Sequence, residues 1–279
     1  LDAPEPLPVV TIRTPTTSPF LFRKRIVESD HRATPGDLVE VRTTSARLVG
    51  YGLFNPRSEI VVRMLTYDER RPDLSWWRER FGSAMQLRVG LLNLETLTNA
   101  YRLIHAEGDG LSGLMVDRFG DLLSIETFSW AMYRRGEAIA AELCSLTGAS
   151  QWIVQPGPKM VGQEGFEPKI MRSSGCPEQV EINEYGTRFR VRLKDSHKTG
   201  FFCDQRENRR RLAEFCEGKR VLDLCCYTGG FAVQAKRLGK ASEVTAVDLD
   251  ENALAVAKEN ANLNQLRIQF VHADAFAYM

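Results

Sequence analysis

The stretch that most constrains this chain is Arg220-Val221-Leu222-Asp223-Leu224-Cys225-Cys226-Tyr227-Thr228-Gly229-Gly230-Phe231, an apolar run broken by paired glycines and followed by a helical pattern from Ala232 to Leu238. It reads as a strand, a tight loop and a helix start. A second buried strand at Glu243-Val244-Thr245-Ala246-Val247 ends in Asp248, after which Ala253, Leu254, Val256, Ala257 and Ala261 mark one face of a helix. A third strand, Ile268 to Val271, ends beside Asp274. This order of strand, loop, helix, strand, acid, helix, strand and acid is the first half of a doubly wound nucleotide-binding sheet, whose ligand lies across the carboxyl ends of the strands.

The loop has neither the G-x-G-x-x-G spacing of a dinucleotide site nor the Gly-Lys-Ser/Thr of a P-loop, which argues against a pyrophosphate. Two glycines let a ligand approach the backbone, and an acid ending the second strand is placed to accept hydrogen bonds from ribose hydroxyls. An adenosine ligand without pyrophosphate fits, namely S-adenosylmethionine. Asp223 is expected either to receive the ligand's ammonium or to brace the loop, and Asp274 to accept from the adenine amino group. An acid at a strand end also suits the N-cap of the next helix, but three at consecutive strand ends favour a ligand. Cys225 and Cys226 read as packing residues.

The six cysteines (144, 176, 203, 216, 225, 226) form no C-x-x-C pair, so neither a disulfide framework nor a zinc site is expected. The opening, Leu1 with Pro4, Pro6 and Pro8, reads as a trimmed or irregular arm without a secretory signal. No apolar run approaches the roughly 20 residues of a membrane span. A cytoplasmic setting with no membrane partner is the expectation. The formal net charge is +1, so any argument for nucleic acid must be local.

From about Val9 to Thr66 the runs Leu38 to Arg42 and Ile60 to Leu65, separated by Pro35-Gly36-Asp37 and Asn55-Pro56-Arg57-Ser58, predict a small all-β unit. A helical stretch carries Trp76, Trp77, Phe81 and Met85, and strands on either side of Glu107-Gly108-Asp109-Gly110, with a helix from Gly136 to Leu146 and a strand at Trp152-Ile153-Val154, predict a mixed α+β unit. Turn formation explains Glu107, Asp109 and Asp117 without a metal. Residues 155–179 have linker or exposed-loop composition, and Val180 to Leu193 reads as a hairpin turning at Glu184-Tyr185-Gly186. Between Arg188 and Arg211 stand nine Lys or Arg and three acids, interleaved with Phe189, Phe201 and Phe202. That mixture suits a phosphate backbone with unstacked bases; Arg206 to Arg211 equally suit a solvated helix face.

Ser18-Pro19-Phe20-Leu21-Phe22, Pro35-Gly36-Asp37-Leu38-Val39 and Gly52-Leu53-Phe54-Asn55-Pro56-Arg57-Ser58 resemble a PUA domain, a small RNA-binding barrel. Asp195-x-His197-Lys198-Thr199-Gly200-Phe201-Phe202-x-Asp204-Gln205-Arg206, followed by Asp223-Leu224-x-x-Tyr227-Thr228-Gly229-Gly230-Phe231, resembles the class I methyltransferases that modify 23S ribosomal RNA. The motif order is similar to their PUA-containing cytosine-5 branch. The resemblance implies an α/β multi-domain protein: a PUA-like β-barrel (1–70), a central α+β domain with linker (71–179), a hairpin and connection (180–205) and the first half of a Rossmann-like methyltransferase domain (206–279). It implies S-adenosylmethionine as cofactor and 23S ribosomal RNA as partner, and a homodimer is the expected assembly. Asp223, Tyr227, Thr228, Gly229, Gly230, Phe231, Asp248, Leu249, Asp274, Ala275 and Gln205 are expected to bind the cofactor. Lys198, Arg206, Arg209 and Arg210 are expected to bind RNA.

Cys225-Cys226 departs from the bulkier or hydroxylic pair of relatives. The Pro-rich loop and nucleophilic cysteine that the resemblance implies, where a thiolate adds to cytosine C6 so that C5 accepts the methyl group, are expected beyond Met279. On that reading the chain is a fragment that does not itself methylate RNA. A guanine N-methyltransferase, and a non-catalytic RNA-binding or assembly protein, are the alternatives.

Overall fold

The computed structural model describes residues 1, 6–158, 160–193 and 200–279, with the backbone alone at Val161. Its contacts divide into two units, Leu1–Asn93 with Arg102–Cys176, and Leu94–Tyr101 with Pro177–Met279.

In the first unit, short alternating runs form β1 (Val9–Ile12), β2 (Phe20–Phe22), β3 (Ile26–Ser29), β4 (Leu38–Thr43), β5 (Leu48–Phe54) and β6 (Ile60–Thr66), a six-stranded sheet in the order β2-β6-β5-β4-β1-β3. Val10, Leu21, Val39, Val41 and Val62 make its fully buried core. Helix α1 (Leu74–Met85) is capped by Asp73, which accepts from the Trp76 N–H at 2.8 Å, and it buries Trp76, Trp77 and Phe81. A second sheet, in the order β11-β10-β9-β8-β7, is built from β7 (Ala100–His105), β8 (Leu114–Phe119), β9 (Leu122–Thr127), β10 (Gln151–Pro156) and β11 (Met171–Arg172), with α2 (Trp130–Arg134), α3 (Gly136–Thr147) and α4 (Met160–Glu164) between them.

The acidic turn is held by side chains. Arg88 donates to Asp109 at 2.5 and 2.8 Å, Arg102 to Asp117 at 2.6 and 3.1 Å, and Ser112 to Glu107 at 2.8 Å. The reading of residues 155–179 as linker or exposed loop is corrected in part. That stretch carries α4 and β11, and its Glu164 is 1% exposed, accepting from Asn55 Nδ2 at 2.7 Å and from the Trp130 N–H at 3.0 Å. Proline and glycine frequency missed it because the anchoring partner lies 109 residues away in sequence.

In the second unit β12 (Gln179–Glu184) and β13 (Thr187–Arg192) form the expected hairpin. Its two turn residues, Tyr185 (φ 51°) and Gly186 (φ 75°), both take the left-handed conformation of a type I′ turn. Next come α5 (Arg206–Ala213), β14 (Arg220–Leu224), α6 (Gly230–Arg237), β15 (Glu243–Asp248), α7 (Glu251–Leu263), β16 (Gln269–His272) and α8 (Ala275–Tyr278). The strands β14, β15 and β16 pair in parallel in that order, as helices between consecutive strands require. Ala232, Ala235 and Ala246 are fully buried, and their small side chains let α6 lie close against the sheet.

Two amides on α7 seam the hairpin edge. Asn264 accepts from the Arg188 N–H at 3.0 Å and donates to its carbonyl at 2.7 Å; Asn260 accepts from the Arg190 N–H at 2.7 Å and donates to the Thr228 carbonyl at 3.0 Å. Residues 94–101 also pack in this unit, where the Thr98 hydroxyl donates to the Asn183 carbonyl at 2.7 Å and the Asn183 N–H to Asn99 Oδ1 at 2.7 Å.

Candidate cofactor site

Between β14 and α6 the chain must reverse within a few residues, and it does so with left-handed backbone at Cys225 (φ 58°), Tyr227 (φ 51°) and Gly229 (φ 76°). Such angles are unfavourable for residues with a side chain, so the loop is held by specific bonds. The Cys226 N–H reaches the Val247 carbonyl at 3.0 Å, and the Tyr227 N–H reaches Asp248 Oδ2 at 2.7 Å. Only glycine suits position 229, where a Cβ would also stand 3.0 Å from that of Ala257.

Gly229 caps α6 without a side chain, so an acid from the strand takes over: Asp223 Oδ2 accepts from the Ala232 N–H at 2.9 Å. Burial pushes the Asp223 carboxyl up to about 6; the Ala232 N–H pulls it down, and neighbouring Asp248 raises it further. Asp248 holds the loop through Oδ2 and accepts from the Asp250 N–H through Oδ1 at 2.9 Å. The Phe202 ring stands edge-on to the Tyr227 ring, with centroids 5.3 Å apart.

Asp223, Tyr227, Thr228, Gly229, Gly230, Phe231, Asp248 and Leu249 thus gather at the carboxyl ends of β14 and β15. Asp274 and Ala275 follow β16, where the Ala273 N–H meets the Asp248 carbonyl at 3.1 Å. Asp274 also caps α8, accepting from Phe276 and Ala277 N–H groups at 2.9 and 3.0 Å. Leu249 and Asp274 are exposed, and half-buried Gln205 accepts from the Asn208 amide at 3.0 Å.

The basic segment needs correcting. Arg209 is 2% exposed and grips Glu184 through two bonds of 2.8 and 2.6 Å. It also donates to the Phe202 carbonyl at 3.0 Å and lies over the Phe201 ring at 4.7 Å, so it is not placed to meet phosphate. Gln234 joins this cluster, donating to Glu184 Oε1 at 3.2 Å and accepting from the Thr187 hydroxyl at 2.8 Å. Phe189 and Phe201 are buried and tilt against each other, so they are core and not stacking surfaces. Arg210 is paired with Glu207 at 3.2 Å and Glu214 at 2.6 Å. The Arg206 side chain is 11% exposed and donates to the Ala100 carbonyl at 3.5 Å. Lys198 lies outside the described residues. Glu184, Gln234 and Asn260 were missed by the sequence reading. The signal for the Arg209 cluster was helical phase: Arg209 precedes buried Ala213 by four residues, which places both on one face.

Parallel strands, a glycine loop and acids at the strand ends define a Rossmann-like nucleotide site. Residues 101–277 match the family described as S-adenosylmethionine-dependent methyltransferase, and residues 16–67 match the PUA-like domain. The chain belongs to the S-adenosylmethionine-dependent methyltransferase family. It is 37% identical over 265 residues to the ribosomal RNA large subunit methyltransferase I of Aeromonas hydrophila, covering 92% of this chain and 66% of that protein. For the protein of the same description from Escherichia coli the identity is 32% over 270 residues, with the same coverage. The chain therefore spans 66% of the length of these curated relatives. A Streptococcus mutans structure, described as a candidate SAM-dependent methyltransferase, shares the fold with a TM-score of 0.76 at 22% identity, covering 97% of this chain and 72% of that one.

Proposed function

We propose that this chain binds S-adenosylmethionine at the β14–α6 loop and serves methylation of 23S ribosomal RNA at cytosine C5. The observation that carries the cofactor reading is the Asp223 carboxyl, half-buried at the end of β14 against the α6 N-terminus and raised beside Asp248, where a cationic ligand relieves a cost the free protein bears. The residues fit such a ligand: Asp223 facing the ammonium, Asp248 the ribose, and Leu249, Asp274 and Ala275 the adenine, with Gly229 and Gly230 leaving room beside the backbone. Bound there, the cofactor supplies an electrophilic methyl group.

Around it, the chain's own residues orient and exclude water. Asp248 ties the Tyr227 backbone, and the Tyr227 and Phe202 rings form an apolar edge beside the loop. Burial pushes the thiols of Cys144, Cys176 and Cys216 up, and that of Cys226 to about 12, with Asp223 and Asp248 adding to the last. These four are therefore poor thiolates at neutral pH. Cys226 packs in the core while Cys225 is exposed, so the packing reading holds for Cys226 alone. The RNA reading rests on the named relatives and the PUA-like match.

The cofactor reading has a pH signature. An ionised Asp223 suits the cation, so affinity for S-adenosylmethionine should rise as pH climbs through about 6 and level off above it, with proton release on binding below that point. Without ligand the sign is opposite: the folded state holds this proton more tightly than the unfolded chain, so Asp223 favours folding at low pH and loses that contribution as pH rises through about 6. Calorimetry from pH 5 to pH 8, in buffers of different ionisation enthalpy, checks both the affinity and the proton count. An affinity that is flat across that range, in the native protein and in Asp223→Asn alike, would take Asp223 away from the ligand's charge.

A further inference from the structure

Within the first unit three aromatic rings stack and an arginine lies over the end of the pile. The Trp130 ring lies 4.0 Å from that of Phe166 at an interplanar angle of 12°, and Tyr133 stacks on Trp130 at 5.4 Å and 26°. The Arg57 guanidinium covers Phe166 at 4.6 Å. The pile is anchored from several sides. The Tyr133 hydroxyl donates to the Lys169 carbonyl at 2.9 Å, the Trp130 N–H bonds buried Glu164, and Glu164 in turn accepts from Asn55, two residues before Arg57.

Its aromatic members are half-buried, but Arg57 is exposed. Among the described residues Arg57 has no carboxylate partner, and its one side-chain hydrogen bond is a long one, to the Gly165 carbonyl at 3.4 Å. A clasp between two parts of a protein needs no solvent-facing cation at its end. A planar, weakly hydrated guanidinium that lies over a ring and is exposed has a further face suited to a nucleobase. Further positive charge stands beside it: Arg23 donates to the Pro56 and Ser58 carbonyls, on either side of Arg57, at 2.8 and 3.0 Å, and exposed Lys24 follows Arg23 in the chain. Glu59, 3.7 Å from Arg23, is the acid on this patch.

We infer that Arg57, seated on the Phe166-Trp130-Tyr133 stack, is a platform for an unpaired base of RNA, with Arg23 and Lys24 taking the adjoining phosphates. This deepens the RNA reading above and rests on it. Hydrogen bonds to Glu164 and to the Lys169 carbonyl already anchor Trp130 and Tyr133 beneath it, which limits the side-chain freedom to be lost when a base arrives.

The test is fluorescence anisotropy of the protein with a labelled single-stranded oligoadenylate of about ten nucleotides, a length within the usual range of single-strand sites, and with a duplex of equal length. Arg57→Ala should weaken the single strand by about fivefold to tenfold, toward the low end for loss of one stacked base, and should affect the duplex less. Arg57→Lys keeps the charge but not the plane, so it should lose most of the same affinity while leaving the slope of log affinity against log salt within about half a unit of the native value. Phe166→Leu tests the half-buried ring beneath, and Arg57→Lys, at an exposed position, keeps the test open if the Phe166 variant misfolds. Single-strand binding by Arg57→Lys equal to the native protein would reduce Arg57 to a point charge and overturn the inference. So would equal losses on single strand and duplex. Failure of the native protein to bind either RNA would sink the RNA reading as well, which separates the two.

Discussion

Glu184→Ala will destabilise the second unit by about 3–5 kcal/mol, the cost of leaving one member of a buried ion pair uncompensated. Glu184 and Arg209 have side chains 1% and 3% exposed, so neither charge is solvated once its partner is gone. The loss also strips Gln234 of an acceptor, and through Arg209 it frees the Phe202 carbonyl. Against a typical total of about 5–15 kcal/mol this is enough to unfold the unit at moderate urea. The protein carries its own control, because all four tryptophans, 76, 77, 130 and 152, belong to the first unit. Tryptophan fluorescence should report a nearly unchanged transition, while hydrogen exchange in α5 and α6 should accelerate by more than a hundredfold, which is about 3 kcal/mol at 1.4 kcal/mol per tenfold. Protection within threefold of native would mean that the pair contributes nothing net.

Asp248→Ala will weaken S-adenosylmethionine binding by about 1.5–3 kcal/mol, the range for a hydrogen bond to a charged group. Both carboxylate oxygens already serve the backbone, one at Tyr227 and the other at Asp250. Each oxygen has a second lone pair, so the same carboxylate can orient the loop and still accept from a ribose hydroxyl. Asp248→Asn separates the two duties: it retains one acceptor for the Tyr227 N–H but offers a single oxygen and no charge, so it should recover part of the loss. Calorimetry at constant pH measures both variants. Native-like affinity in Asp248→Ala would remove the side chain from the ligand altogether.

The strand, loop and helix around Asp223 were legible because each depends on neighbours in sequence: an apolar run, a glycine pair, and alanines at helical spacing. The hairpin was legible for the same reason, its turn being set by Tyr185-Gly186. Arg209 was not. It sits in the run Asn208-Arg209-Arg210-Arg211, where composition makes the three arginines equivalent, and what distinguishes them is Glu184, 25 residues earlier, on a strand that packs beneath one helical face. Phe189 and Phe201 were misplaced in the same way, since aromatic residues among cations look alike whether they face RNA or the core. Glu164 and the segment 94–101 gave no local signal because their partners are distant in the chain.

The pair Asn260 and Asn264 also determines where the hairpin can stop. Four residues of helix advance about 6 Å and two residues of strand about 6.7 Å, so the two amides nearly match the spacing of the Arg188 and Arg190 N–H groups. They act as a vernier, both marks being engaged together in the observed alignment of α7 against the strand. A slide by two residues toward the turn would bring Asn264 opposite Gly186, whose N–H is already held by Asn183 Oδ1, and would carry Glu184 past Arg209 and Gln234. Asn-x-x-x-Asn on a helix beside an unpaired strand edge is thus a positional code, and one that can be sought in other chains without reference to their chemistry.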